Sequence, residues 1–165
     1  MLENASTSPT EPQGIPDNLK VPEGHVLLLR AYGKGVQIYP CPFVDPPKAT
    51  PHAILLTDDS DEGDLVAIHF GGPSWQATDG SIVVGDAAHA VHVVSPDTDG
   101  VDWLLLPAKS TTGNGLFSKV TYIQRLFTDG GKPTLAGCNQ VPGQTQELVE
   151  YSAQYFFYVA AAGNQ

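Results

Sequence analysis

The segment from residue 64 to 85 constrains the fold more than any other, because a Gly-Pro break and an Asp-Gly pair separate three short apolar runs. The pair Asp79-Gly80 predicts a two-residue β-hairpin loop, since a type I′ turn needs positive φ at both central positions. In that register Trp75 pairs with Val84, and side chains alternate between the two faces. The residues that we predict to face the core are Trp75, Ala77, Ile82 and Val84.

Beyond this hairpin, short apolar runs alternate with turn residues from Val21 onward, a rhythm typical of all-β proteins. No segment carries a helical stripe of apolar residues over three turns, so little helix is expected. We predict a single all-β domain, which is either an antiparallel, jelly-roll-like β-sandwich or a barrel. Roughly ten strands are expected, at 25–32, 35–40, 52–57, 64–70, 74–78, 81–85, 90–94, 101–108, 118–127 and 150–159.

The 165 residues suffice for one domain with a sizeable core. Residues 1–20 are rich in Pro, Ser, Thr and Glu and are predicted to form a disordered arm. The β domain is expected at 21–160 and a short tail at 161–165. Asn4 begins an Asn-Ala-Ser triplet, which is a glycosylation acceptor only in a secreted protein.

The charge balance excludes one class of partner. The chain has 8 Lys and Arg against 18 Asp and Glu, a net charge of −10, which repels phosphate backbones and makes nucleic acid an improbable partner. The acidic cluster at 58–64 is explained by solubility; a calcium loop is the alternative, but the spacing departs from the EF-hand pattern. No apolar run approaches the roughly 18 residues of a membrane-spanning helix, and no signal peptide is recognised.

The chain has two cysteines, Cys41 and Cys138, and each lies among turn residues. An even count in such surroundings favours one disulfide, which implies an oxidising compartment. The alternative is two unrelated free thiols.

Several segments resemble, in the same order, a family of bacterial and fungal proteins known only as a domain of unknown function. The segments are GKGVQIYPCP (33–42), HFGGPSWQATDGSIVVG (69–85), WLLLPA (103–108), GLFSKVTYIQRLFTDGGKP (115–133), GC (137–138) and YSAQYFFY (151–158). The resemblance covers residues 15 to 160 and implies a secreted or periplasmic protein. It adds weight to a Cys41–Cys138 disulfide, but it implies no activity and no catalytic residue.

Histidines are the candidates for catalysis or metal binding. His69 ends a predicted strand just before the Gly71-Gly72-Pro73 break, where it is a candidate general base or metal ligand; a structural role is the alternative. His25 and His52 could join it through the fold, although no pair has metal-ligand spacing such as HxH or HExxH. No cofactor is predicted, and a metal is possible.

Polar and aromatic side chains on the strands suggest a second kind of site. Aromatic rings cover apolar faces while amides bond hydroxyls, a combination that suits carbohydrate or another small polar ligand. The candidate binding residues are Gln37, Tyr39, Gln76 and Gln124. Ordinary sheet composition is the alternative, because tyrosine and threonine favour strands.

These observations favour an extracytoplasmic, non-catalytic binding or surface protein, and the alternative is a small metal-assisted enzyme organised around His69. A third hypothesis is a structural protein that forms homo-oligomers through strand edges. The aromatic strand from Tyr151 to Val159 is the edge we expect in that case.

Overall fold

The computed structural model describes residues 9–60 and 62–162. Asn4 and Asp61, from the glycosylation triplet and the acidic cluster, lie outside these described residues. The secondary structure is almost entirely strand, with three short 3-10 helices at Asp17–Leu19, Ala87–His89 and Leu135–Cys138. The strands are β1 (His25–Pro40), β2 (Thr50–Leu56), β3 (Leu65–Phe70), β4 (Ser74–Ala77), β5 (Ile82–Gly85), β6 (Val91–Val93), β7 (Trp103–Thr112), β8 (Val120–Gly130) and β9 (Gln146–Ala160).

The strands form one antiparallel sheet in the order β5-β4-β3-β2-β1-β9-β8-β7-β6. An additional pairing between β5 and β7 closes eight of them into a barrel, and β6 lies outside the ring, paired with β7. The prediction of an all-β antiparallel domain is confirmed, and the barrel is the architecture observed. Closure gives each strand of the ring two neighbours, so its backbone groups are bonded on both sides.

The first strand runs unbroken through Gly33 and Gly35, where the sequence predicts a break between two strands. These glycines are places of close approach. A Cβ atom on Gly33 would lie 2.6 Å from the Tyr155 ring, and one on Gly35 would lie 2.2 Å from the His52 carbonyl oxygen. Both residues are glycine because the neighbouring strands leave no room for a side chain, and the chain stays extended.

The predicted register of the β4–β5 hairpin is wrong by one residue. Trp75 pairs with Val83 rather than Val84, and the Ala77 N–H donates to the Ser81 carbonyl, so the loop has three residues. Of the three loop residues, Gly80 alone has a positive φ, at 93°. The Asp79 carboxylate accepts hydrogen bonds from the Ser81 hydroxyl and the Ser81 and Leu116 N–H groups, which hold its pKa below the usual value.

This shift exchanges the faces of β5 but leaves those of β4. Trp75 and Ala77 are buried as predicted, while Val83 lies in the core and Ile82 and Val84 are half-buried. A shift of one residue moves every side chain of a strand to its other face.

The expectation that Tyr151–Val159 forms a sheet edge is also wrong. This segment lies in β9, which is hydrogen-bonded to β1 on one side and to β8 on the other. Its five aromatic side chains are all buried and are divided between two apolar clusters. β9 is thus a central strand of the barrel, and assembly through it would require breaking existing pairs.

The apolar core is divided between the barrel interior and its outer surface. The inner cluster includes Trp75, Ile123, Tyr155 and Phe157. The outer cluster contains Trp103, Leu105, Leu126, Phe156, Tyr158 and also Leu19, which is buried although it belongs to the segment predicted as an arm. The division into an arm, a domain at 21–160 and a tail stays a prediction.

A disulfide joins Cys41, just after β1, to Cys138 in the loop before β9, over a separation of 97 residues. The predicted pairing is confirmed, and the free-thiol alternative is wrong. Among the described residues no helix is long and apolar enough to cross a membrane.

Candidate functional site

A cavity of about 350 Å³ opens into one end of the barrel. Most of the buried residues that line it are apolar, and a few are polar. The exposed lining residues form its rim. The polar and aromatic lining residues of the wall are Gln37, His69, Trp75, Arg125 and Tyr155. The exposed rim residues are Ala49, Thr50, Gly71, Gly72, Ala87 and His92. Concave, mostly apolar sites with a few convergent polar groups are typical of small-molecule binding.

His69 lies on the inner face of β3 and is only 2% exposed. Its Nδ1 is 2.8 Å from the Ser74 carbonyl oxygen, and because a carbonyl only accepts, Nδ1 must carry the proton. Nε2 therefore has a lone pair, and none of the described residues donates a hydrogen bond to it. The ring stacks on Trp75 with centroids 4.4 Å apart and meets Tyr155 edge-on at 5.2 Å.

Burial lowers the pKa of His69 to about 3, and the positive charge of Arg125 acts in the same direction. The hydrogen bond to Ser74 opposes the shift but is outweighed. Near neutral pH the imidazole is uncharged, so His69 acts as a hydrogen-bond acceptor rather than as a proton carrier.

The free energy of unfolding should decrease as the pH is lowered, in a range where most carboxylates are still ionised. Because the pKa of His69 is lower in the folded state than in the unfolded state, the contribution of His69 to stability is fully present above its unfolded pKa of about 6.5. This contribution is lost as the pH decreases from there. We expect a loss of about 1.4 kcal/mol per pH unit between roughly pH 6 and 5, measured by urea unfolding. His69→Gln should remove this dependence of unfolding free energy on pH. The matched control, His52→Gln, changes an exposed histidine and should keep the dependence. Equal slopes in the wild type and both variants would contradict the prediction.

Two donors in the wall of the cavity have no acceptor among the described residues. They are the side-chain amide nitrogen Nε2 of Gln37 and the indole nitrogen Nε1 of Trp75, and both atoms are buried. Gln37 is 2% exposed and Trp75 is 1% exposed. A buried donor without an acceptor costs on the order of 1–3 kcal/mol, so native proteins leave few of them. Both residues line one cavity, whereas Trp103, whose Nε1 is the third such donor, does not.

Arg125, on the inner face of β8, supplies the positive charge of the site. Its Nε and Nη2 donate to the Asp102 carbonyl oxygen at 3.0 and 2.8 Å. Burial raises the pKa of Tyr155, and the positive charge of Arg125 opposes that shift. Within the described ranges no ion pair joins it to a carboxylate. The Asp102 carboxylate instead contacts His92 Nδ1 at 3.2 Å, at the rim.

Of the four predicted binding residues, only Gln37 lines this cavity. The Tyr39 hydroxyl donates to the Gly131 carbonyl, and burial raises the pKa of Tyr39 to about 12. Gln124 is held on both sides, donating to the Leu19 carbonyl at 2.8 Å and accepting from Tyr158 at 2.9 Å. Gln76 reaches the Gly80 carbonyl at 3.5 Å. The polar groups of these three residues are thus hydrogen-bonded within the protein, and none of the three lines the cavity.

The three histidines considered as metal ligands lie apart. His25 is bonded to the Pro22 carbonyl and packs edge-on against Tyr122, and His52 is exposed on β2. In the part of the chain that the structure describes, no group of three or more His, Cys, Asp or Glu side chains is placed to hold a metal ion.

Two important residues of the site are not predicted as binding residues from the sequence. Arg125 is one of only two arginines in the chain and lies in mid-strand close to the apolar residues Ile123, Leu126 and Phe127, a signal that could have identified it. Trp75 is predicted as a core residue, but its unbonded indole nitrogen is visible only in the structure.

In the comparison with known families, the model described as "Protein of unknown function (DUF3455)" matches residues 54–159. This range contains His69, Trp75, Arg125 and Tyr155 but not Gln37. Neither the comparison with curated proteins nor that with solved structures gave a match.

Proposed function

This chain belongs to the family described as proteins of unknown function (DUF3455), and we propose from its cavity that the protein binds a small organic molecule with hydrogen-bonding groups inside its barrel. The observation that carries this proposal is the set of hydrogen-bonding side chains in the wall of one mostly apolar cavity: Gln37, His69, Trp75 and Arg125. A ligand with acceptor atoms would bond the guanidinium of Arg125, and a donor group on the ligand would bond Nε2 of His69. A carbohydrate is one such ligand, since its hydroxyls accept hydrogen bonds and its ring can lie against aromatic side chains.

The size and architecture of the site agree with this role. Small ligand pockets occupy roughly 300–1,000 Å³, and eight-stranded barrels hold one small ligand in several protein families. The cavity lies inside the ring of strands, whose hydrogen-bonded walls hold its side chains in place. A preformed site of this kind loses little conformational entropy on binding.

The state of His69 favours binding over proton transfer. A general base works best when its pKa lies near the working pH, and the pKa of His69, about 3, is far below it. We therefore assign its free Nε2 the role of accepting a hydrogen bond from the ligand. A metal-assisted reaction at His69 is the second candidate, supported by the same free lone pair. Stoichiometric metal in a native mass spectrum, lost in His69→Ala, would favour it.

We also propose that the protein works in an oxidising compartment, outside the cytoplasm. The support is the Cys41–Cys138 disulfide, because such bonds persist in oxidising surroundings.

Filling the rim of the cavity should abolish ligand binding. Ala87 and Ala88 are exposed neighbours in one 3-10 helix, but only Ala87 lines the cavity. A library of small polar compounds is screened by the NMR shift of the Trp75 indole N–H. Compounds that bind the wild type should bind Ala87→Trp at least tenfold more weakly, a difference of about 1.4 kcal/mol. Ala88→Trp is the matched control and should bind as the wild type does. Equal binding by both variants, or no shift with any compound, would refute the cavity as a binding site.

A further inference from the structure

We propose that the molecule bound in this cavity is a small organic carboxylate with a largely apolar body, and that the Arg125 guanidinium binds its carboxylate. This inference rests on the proposed binding function and specifies the ligand class. Three features carry it: the charge of the lining, the hydrogen bonds left open around Arg125, and the apolar surface of the remaining wall.

The lining is locally positive although the protein is acidic. The chain carries a net charge of −10, yet among the residues that the structure describes no Asp or Glu lines the cavity, and Arg125 is the one permanently charged residue in its lining. The charge of Arg125 contributes to the pKa shifts of His69 and Tyr155, favouring a neutral imidazole and opposing the raised pKa of the phenol. A site that disfavours a second cation and stabilises an anion is complementary to a negatively charged ligand.

The contacts of Arg125 hold its guanidinium in place without neutralising it. Two of its N–H groups donate to a neutral carbonyl, that of Asp102. Since a guanidinium has five N–H groups in a fixed plane, donors remain for a carboxylate. The nearby Asp102 carboxylate contacts His92 instead. The cation is thus half-buried and lacks a counter-ion among the described residues, a situation that an anionic ligand would correct.

The rest of the wall selects the body of the ligand. Leu104, Leu106, Ile123 and Pro73 line the cavity beside the Trp75 ring. Such a surface is unfavourable to a hydrated inorganic anion, because the anion would lose water without gaining hydrogen bonds there. A neutral sugar would find few acceptors on these side chains and would leave the charge of Arg125 unpaired. A carboxylate on an apolar body would pair with the charge of Arg125 and place its body against these apolar side chains.

The test compares benzoate with benzamide, its neutral counterpart of nearly the same shape, by isothermal titration calorimetry and by the NMR shift of the Trp75 indole. We expect benzoate to bind the wild type at least tenfold more tightly than benzamide does. Arg125→Gln should bring the two affinities within about threefold of each other. The control is Arg30→Gln, which changes the chain's other arginine, an exposed residue that packs over the Tyr32 ring; it should keep the preference. Inorganic phosphate and glucose are expected to bind weakly or not at all.

The wild-type comparison needs no mutation, so misfolding of Arg125→Gln would leave it intact. Equal affinity for benzoate and benzamide, or tighter binding of glucose or phosphate, would overturn the carboxylate assignment while leaving a binding cavity. A preference for benzoate that persists in a folded Arg125→Gln protein would overturn the role of Arg125. If none of the four probes binds and the compound library also fails, both this inference and the proposed function are refuted.

Discussion

Replacing Trp75 with alanine is expected to lower the free energy of unfolding by about 3–5 kcal/mol, the range for removing a buried aromatic ring. The indole is 1% exposed and stacks on His69. It also meets the rings of Tyr155 and Phe157 edge-on, each with centroids 5.9 Å apart. Alanine would remove all three ring contacts and enlarge the cavity beside them. For a protein of this size the midpoint temperature should fall by roughly 10 °C.

Guanidinium unfolding followed by circular dichroism measures this effect without relying on tryptophan fluorescence. Trp75→Phe should cost less than Trp75→Ala, because a smaller ring keeps part of the packing. Val94→Ala is the surface control: Val94 is 72% exposed, so its truncation should change stability by less than about 0.5 kcal/mol. A loss below 1 kcal/mol for Trp75→Ala, on the order of a surface change, would show that the ring does not contribute to the core as described.

Breaking the Cys41–Cys138 disulfide should have an effect of similar size by a different mechanism. The bond closes a loop with a separation of 97 residues. In the chain-entropy model a loop of about 100 residues is worth about 4.7 kcal/mol, and measured losses for native disulfides span roughly 2–5 kcal/mol. The bond acts mainly by restricting the unfolded chain, so the barrel should still form when it is absent, with a lower unfolding midpoint.

The experiment compares guanidinium unfolding with and without dithiothreitol, and repeats it with the double variant Cys41→Ser, Cys138→Ser. Reductant should destabilise the wild type to about the level of the double variant and should leave the double variant unchanged. A wild-type midpoint that does not respond to complete reduction, checked by thiol titration, would contradict the expected contribution.

Most strands could be predicted because their signals are local. Short apolar runs bounded by glycine, proline and aspartate locate β3 and β4 to within one residue at either end. Gly33 and Gly35 mislead for a physical reason: glycine usually interrupts a strand, but here it allows Tyr155 and β2 to approach β1. The Asp79-Gly80 pair gave the wrong hairpin register because such a pair fits two kinds of loop. One is the predicted two-residue loop, and the other is the observed three-residue loop, in which Gly80 alone has a positive φ.

The candidate site could be predicted only in part. His69, a predicted general base or metal ligand, and Gln37, a predicted binding residue, both line the cavity. Gln124 and Tyr39 belong to the same residue classes, but their hydrogen bonds go to Leu19 and Gly131, partners distant in the sequence. Whether a polar side chain is already bonded or still open depends on such partners, and composition carries no information about them.

By itself, the sequence determined the all-β class, the places of most strands, the burial of Trp75 and the pairing of the two cysteines, because each depends on local patterns or on a resemblance of motifs. The tertiary structure alone decided that β5 closes the ring onto β7, that β9 is central rather than an edge, and that Arg125 lines the cavity with no ion pair to a carboxylate of the described residues. The reason is that closure and register are set by pairing between strands far apart in the chain. The cavity, with its open donors and its one cation, exists only after the barrel has closed.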